Sequence, residues 1–170
     1  MGMIHIGTGT YGSPTRRGNA NTITIGNYCS IAEGVILDSG FNHDISMVST
    51  YPFHRLNSSI TSNIEAPKDI YIGNDVWIGE GALIMAGAFI SDGAVIGARS
   101  VVTKNTIIHP YEVWAGGPAK FLGCRLPSSV EVAAMLHIKW WDWEYEKIME
   151  NAQLLNSRNI REFINMHYKK

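Results

Sequence analysis

A large aliphatic side chain recurs every sixth residue through the second half of the chain, at Ile72, Ile78, Ile84, Ile90, Ile96, Val102 and Ile108, and the series closes on Trp114. A small or β-branched residue stands two places before most of these positions: Val76, Ala82, Ala88, Ala94, Ser100 and Thr106. Gly73, Gly79 and Gly97 directly follow three of them. A shorter copy lies upstream at Ile25, Ile31 and Leu37, with Ile23, Cys29 and Val35 two places before. Period six matches neither the roughly 3.6 of a helix nor the simple alternation of a strand. It matches a short strand and a turn, repeated, which is how a parallel β-helix is written in sequence. Three such units close one coil of a triangular prism. The large aliphatic residue and the small one before it face inward, and glycine supplies permissive turn geometry.

The rest of the chain is consistent with one domain. At 170 residues, 45% of them hydrophobic, it can bury a core of ordinary size. A formal net charge of −1 gives no electrostatic footing for nucleic acid or an anionic membrane. No apolar run approaches the roughly 18 residues of a membrane span. The start, Met1-Gly2-Met3-Ile4-His5, lacks the basic region and apolar stretch of a signal peptide, so the expected location is the cytoplasm. The two cysteines suggest no disulfide framework, and Cys29, at an inward repeat position, reads as a small core hydrophobe.

Residues 1–22 are rich in Gly, Thr and Asn and predict an irregular first coil. From Leu37 to Ile72 is 35 residues, which is not a multiple of six. The stretch 38–69 is polar, carries Pro52 and Pro67, and reads as an excursion loop thrown out from the prism. Loops of that length inside a compact domain usually carry function. The period resumes over 70–119 and ends at Gly116-Gly117-Pro118. Ser128-Ser129-Val130-Glu131 then resembles a capping box, with Val132, Met135, Leu136 and Lys139 at helical spacing behind it. Further helices are expected at about 143–155 and 158–168. A prism has open ends with unpaired backbone and exposed core. Residues 128–170 are therefore expected to form a helical cap on a β-helix domain spanning 1–127. The expected fold is mainly β: a parallel β-helix of hexapeptide repeats with an excursion loop and C-terminal α-helices.

Several segments carry a family resemblance. Ile72-Gly73-Asn74-Asp75-Val76-Trp77-Ile78-Gly79, followed by Val101-Val102-Thr103-Lys104 and Gly117-Pro118-Ala119-Lys120, resembles the left-handed β-helix (hexapeptide-repeat) acyltransferases. Phe41-Asn42-His43-Asp44 with Ser49-Thr50-Tyr51-Pro52-Phe53, and Ile138-Lys139-Trp140-Trp141-Asp142-Trp143, resemble the xenobiotic acetyltransferase branch. That branch includes streptogramin and chloramphenicol acetyltransferases, and relatives that look like polysaccharide O-acetyltransferases. The resemblance covers roughly residues 20–155. It implies a left-handed coil, where ordinary parallel crossovers are right-handed, a homotrimer, and acetyl-CoA as co-substrate. It aligns His43 with the family's catalytic histidine. It also implies that Trp77 lies near the thioester, that Thr103 and Lys104 flank the pantetheine or phosphates, and that Lys120 meets the 3′-phosphate or pyrophosphate.

The chemistry of these residue types is consistent with that assignment. An alcohol is a weak nucleophile until its proton is being removed, so acetyl transfer from a thioester to a hydroxyl needs a base. Histidine suits this near neutral pH and can then protonate the leaving thiolate. Either Asp44 or a backbone carbonyl could orient the His43 ring. Asp44, Tyr51, Phe53 and His54 are the candidates for lining an acceptor pocket. Gly79, Gly97 and Ala98 are small enough for an extended pantetheine arm to approach the coil edge, and lysine is a suitable point charge for phosphate. The plain alternatives are that glycine belongs at such turns anyway and that Lys104 is simply solvated. Trp77 is bulky and outward by period, so it needs a subunit interface or a ligand to cover it. His5, His109, His137 and His167 read as structural or solvent-exposed.

Two motif matches are set aside. Gly7-Thr8-Gly9-Thr10-Tyr11-Gly12 has the letters of a dinucleotide fingerprint without its strand–helix context. Asn57-Ser58-Ser59 fits a glycosylation acceptor in a chain with no other sign of secretion. The reading is an O-acetyltransferase of a sugar or polysaccharide precursor, with a xenobiotic hydroxyl as the alternative acceptor. A zinc enzyme on the same prism would need a close histidine pair facing one groove, which the repeats lack, so no metal is expected. A non-catalytic β-helix used for binding or assembly is the third reading, and the intact His43 loop argues against it.

Overall fold

A computed structural model describes residues 2–18, 21–40, 43–62, 64 and 66–168. Phe41 and Asn42 of the loop motif lie outside the described residues. The prism has five coils. The first holds β1 (Ile4–Ile6) and β2 (Thr15–Arg17). The second holds β3 (Ile23–Ile25), β4 (Ser30–Ile31) and β5 (Ile36–Asp38). After the excursion loop come β6 (Ile70–Ile72), β7 (Trp77–Ile78) and β8 (Leu83–Met85), then β9 (Phe89–Ile90), β10 (Val95–Ile96) and β11 (Val101–Val102). The last coil carries β12 (Ile107–Ile108) and β13 (Glu112–Ala115), and β14 (Lys120–Cys124) returns antiparallel against β13. The strands form three sheets, ordered β1-β3-β6-β9-β12, β14-β13-β10-β7-β4 and β11-β8-β5-β2. The chain is thus a mainly-β parallel β-helix with C-terminal helices.

Strand pairing explains the six-residue period. Ile25, Ile72, Ile90 and Ile108 stack in register on one face. Ile31, Ile78, Ile96 and Trp114 stack on the second, and Leu37, Ile84 and Val102 on the third. Every aliphatic member is buried in a single core, with the small partners Cys29, Val35, Val76, Ala82, Ala88 and Ala94 beside them. Side chains also stack along one corner. Asn27 Oδ1 accepts from Thr8 N–H at 2.9 Å, Asn74 Oδ1 from Asn27 N–H at 2.8 Å, and Asp92 Oδ1 from Asn74 N–H at 2.7 Å.

The first coil is irregular, as the sequence predicts: β1 pairs with β3 and β2 with β5, but Ile6 and Arg16 are ten residues apart where their partners Ile25 and Leu37 are twelve apart. Arg16 stands opposite Leu37, where other coils place an aliphatic residue. Its guanidinium donates to the carbonyls of Gly18 and Gly2, each at 2.9 Å, and of Asn21 at 2.6 Å.

One feature differs from the sequence expectation, the seat of the helices. They are α1 (Ser129–Ile138), α2 (Tyr145–Leu155) and α3 (Ile160–His167). The capping box is present: Ser128 Oγ accepts from Glu131 N–H at 3.3 Å and donates to Glu131 Oε2 at 3.0 Å. The helices pack along a prism corner instead of over the end. Met135, Ile138, Trp141 and Phe163 form a second core with Tyr111, and Tyr28 packs against it. Asn27 Nδ2 donates to the Trp141 carbonyl at 3.2 Å. The end of the prism is met by the β13–β14 hairpin, with Ala119 packed into the main core. Among the described residues no helix is long and apolar enough to cross a membrane.

Coil stacking is tight behind β7. A Cβ on Gly79 would lie 2.5 Å from the Ala98 nitrogen and 2.8 Å from its Cα, and this backbone is held by the ladder. Gly79→Ala is expected to destabilise the protein by about 1–3 kcal/mol. Urea denaturation measures it, and an unchanged midpoint would mean that the coils can part at this edge.

Candidate active site

The excursion loop leaves the prism after β5 and rejoins it at β6. Released from the six-residue period, it gathers polar and aromatic side chains around one cleft. His43 Nδ1 lies 2.6 Å from the Thr50 carbonyl oxygen. A carbonyl only accepts, so Nδ1 carries the proton and Nε2 is the acceptor of the neutral ring. The main chain therefore orients this imidazole. Asp44 is engaged elsewhere, accepting from Ser46 Oγ–H at 2.7 Å and Ser46 N–H at 2.9 Å. Those two bonds, the hydroxyl first, hold its carboxyl below the usual range.

The candidate acceptor residues come together. His43, Asp44, Tyr51, Phe53 and His54 line one cleft of about 480 Å3. Tyr51 and Phe53 meet edge to face, with centroids 5.0 Å apart. Met47, Val48, Ile60 and Ile64 complete an apolar wall that single-residue reasoning did not pick out. The Thr50 carbonyl was also missed by name, because a main-chain oxygen leaves no mark in the sequence. A second cleft of about 750 Å3 opens on the loop beside His43 and is lined by Asp44, Met47, Ser62, Ile64 and Lys104.

The proposed cofactor residues fall into two groups. Trp77, Gly79, Gly97, Ala98 and Lys120 follow one side of the prism. Trp77 points outward from β7 and is 56% exposed. A Cβ on Gly97 would sit 2.7 Å from that of Ala115, which pairs with Lys120. Both glycines thus have a packing reason that is independent of any ligand. Thr103 and Lys104 lie past β11, six residues beyond Gly97, a span of at most about 20 Å. Thr103 Oγ1 is 3.1 Å from Thr106 Oγ1 across that turn. One prism therefore places the two groups, as candidate partial sites, on two edges of one face, with Lys104 on the His43 side.

The remaining candidates have structural roles. His167 Nε2 is 2.8 Å from Asn151 Oδ1, and His137 packs on the Tyr168 ring. The Gly7–Gly12 run lies in a turn of the first coil and leads to a strand, not a helix. A Cβ on Gly7, Gly9 or Gly12 would strike Asn27, the Tyr28 ring or the Ile31 carbonyl respectively. Among the described residues no three His, Cys, Asp or Glu side chains converge to hold a metal ion.

No protein-family model matches the chain. It is 38% identical over 156 residues to a probable macrolide acetyltransferase of Lysinibacillus sphaericus, covering 87% of this chain and 85% of that protein. It is 38% identical over 151 residues to a chloramphenicol acetyltransferase of Morganella morganii, covering 85% and 70%. To a virginiamycin A acetyltransferase of Staphylococcus aureus it is 43% identical over 145 residues, covering 81% and 64%. Among solved structures, a maltose O-acetyltransferase from Clostridium difficile aligns with a TM-score of 0.52 at 30% identity, over 71% of this chain and 58% of that one. A hexapeptide-repeat acetyltransferase from Vibrio cholerae aligns with a TM-score of 0.56 at 26% identity, over 71% and 62%. The chain thus spans less than two thirds of these two solved proteins. The fold is that of a β-helix transferase with a loop-borne histidine. The chain belongs to the hexapeptide-repeat, left-handed β-helix acetyltransferases, and is related to both the xenobiotic and the sugar enzymes.

Ser46→Ala should raise the Asp44 pKa toward the ordinary carboxylate value, since it removes the larger of the two bonds that lower it. Carboxyl carbon shifts followed through an NMR titration read this directly. An unmoved titration would mean that another group holds the charge.

Proposed function

We propose that this protein is an acetyl-CoA-dependent O-acetyltransferase acting on a hydroxyl of a xenobiotic, with His43 as general base. The observation that carries the proposal is the His43 ring, pinned through Nδ1 to the Thr50 carbonyl at the wall of an apolar cleft. Nε2 is left unprotonated to take the acceptor's hydroxyl proton as the oxygen attacks, and the resulting imidazolium can return that proton to the departing sulfur. Acetyl-CoA would supply the activated acyl group. The chain offers it the Trp77–Gly79–Gly97–Ala98 side, with Lys120 as a point charge for a phosphate. Thr103 and Lys104 would meet it from the other edge.

Sequence alone favoured a sugar acceptor, and that preference is now reversed. Two of the similar curated proteins, each matching more than four fifths of this chain, are named for macrolide and chloramphenicol acetylation. The cleft walls Met47, Val48, Phe53, Ile60 and Ile64 suit an apolar drug scaffold better than a hexose. Asp44 and His54 add polar groups, and Tyr51 an aromatic one, at the same cleft.

A homotrimer is part of the proposal. Trp77 is uncovered, and Ile45, Val48 and Leu56 of the loop are strongly exposed. Tyr71, Phe89 and Ile107 form an exposed column on the β1-β3-β6-β9-β12 sheet. A groove between two prisms would cover such surfaces and bring the two partial sites together. Light scattering at micromolar concentration is expected to give three times the chain mass, and a monomer would remove the shared groove from the model.

Activity is tested by thiol release from acetyl-CoA over a panel of a macrolide, chloramphenicol, a streptogramin A and maltose. One of the three antibiotics is expected to give the highest kcat/KM. His43→Ala should then lower kcat by roughly 10²–10⁴ with folding and acetyl-CoA affinity nearly unchanged. Near wild-type kcat in that variant would refute the base assignment, and maltose as best acceptor would restore the sugar reading.

A further inference from the structure

The peptide unit between Thr50 and Tyr51 is held from both sides. Its carbonyl oxygen lies 2.6 Å from His43 Nδ1, and its N–H donates to Ser49 Oγ at 3.1 Å. The unit is trans, and the carbonyl and N–H of a planar trans peptide point in opposite directions. Whatever fixes the N–H therefore aims the carbonyl. Ser49, which lines the same cleft as His43, does this from the far side of the peptide plane.

The residues that follow act on other peptide units. Pro52 restricts Tyr51 toward extended backbone, and the Phe53 N–H donates to the Tyr51 carbonyl at 3.0 Å. Rotation of the Thr50–Tyr51 plane itself is left to Ser49 and His43. A hydrogen bond accepted at one end of a peptide also polarises it and strengthens the acceptor at the other. The consequence falls on the imidazole. A neutral ring has two tautomers, and only the one protonated at Nδ1 leaves Nε2 able to accept a proton.

We propose that Ser49 is a positioning residue: its hydroxyl holds the Thr50–Tyr51 peptide so that the carbonyl selects the Nδ1–H tautomer of His43. Its part in the reaction rests on the reading of His43 as general base. The tautomer is a property of the resting protein and is measured without any acceptor.

The test is nitrogen-15 NMR of the intact protein on the alkaline side of neutrality, with the His43 signals assigned by their loss in His43→Ala. In the wild-type protein Nδ1 is expected to carry the proton. Ser49 is exposed, so Ser49→Ala removes no core packing. That variant should show a mixture of both tautomers. Its kcat should fall roughly three- to tenfold, the worth of one neutral hydrogen bond, with KM for acetyl-CoA unchanged. Ser49→Thr keeps a hydroxyl on Cβ and should retain the wild-type tautomer and kcat. Ser46→Ala removes the neighbouring hydroxyl, which bonds to Asp44, and should leave the tautomer as it is. A wild-type ring of mixed tautomer, a Ser49→Ala ring that keeps its proton on Nδ1, or a Ser49→Thr protein that behaves like Ser49→Ala would each overturn the proposal. An Nδ1–H ring that is lost in Ser49→Ala, in a protein that acetylates no acceptor, would uphold the hold of Ser49 on the ring and overturn instead the reading of His43 as base.

Discussion

The main-chain ladder between successive coils is the constraint on which the rest of the molecule depends. Parallel strands stack at about 4.8 Å, so whatever one coil does at a given position must fit directly over the next. Inside, that repeats one aliphatic shape: Ile25 on Ile72 on Ile90 on Ile108. At the edge behind β7 it excludes side chains, because Gly79 faces the backbone of Ala98. At another corner it selects Asn and Asp side chains that reach the main chain of the preceding coil, as Asn74 does to Asn27 and Asp92 to Asn74. The prism is therefore rigid and repetitive, and has little room for chemistry of its own.

Chemistry falls to the loop because the loop escapes the ladder. Side chains such as Tyr51, Phe53 and His54 would not fit the inward positions of the coils, yet they gather freely around His43. The loop also holds its histidine through the Thr50 carbonyl instead of an acidic partner. A carbonyl fixes the tautomer without placing a full negative charge against the ring. Substitutions elsewhere in the cleft can then alter the acceptor without disturbing the orientation of the ring.

The coils were legible in the sequence wherever a repeat position had one purpose. The inward Ile, Leu and Val series defined the prism, and the break after Leu37 located the loop within it. The first coil was legible as irregular but not in its pairing, because its sides depart from six residues and Arg16 replaces the aliphatic residue and turns to cap carbonyls of Gly2, Gly18 and Asn21. Helix boundaries were readable from Ser128 and Glu131, but not the seat of the helices, since periodicity describes a face and not its partner. At the site, His43 and its aromatic neighbours could be named in advance. The hydrogen bond that orients the ring could not, and neither could the apolar wall contributed by Met47, Val48 and Ile60.

The seat of the helices follows from two tyrosines at the corner. Tyr28 and Tyr111 adopt φ of 54° and 60°, a left-handed conformation that bulky residues rarely take. Such a residue costs roughly 1–3 kcal/mol unless its surroundings over-determine it. Here they do: Tyr28 lies 5.2 Å from the Trp140 ring by centroids, and Tyr111 is enclosed with Met135, Trp141 and Phe163. Glycine at either turn would remove the strain but also the anchor. The same ring positions explain Gly9 and Gly93, since a Cβ on either would collide with the tyrosine ring stacked against it. Strain in the prism thus offsets against burial by the helices. The C-terminal segment completes this corner, and the prism end is left to Arg16 on one side and the β13–β14 hairpin on the other.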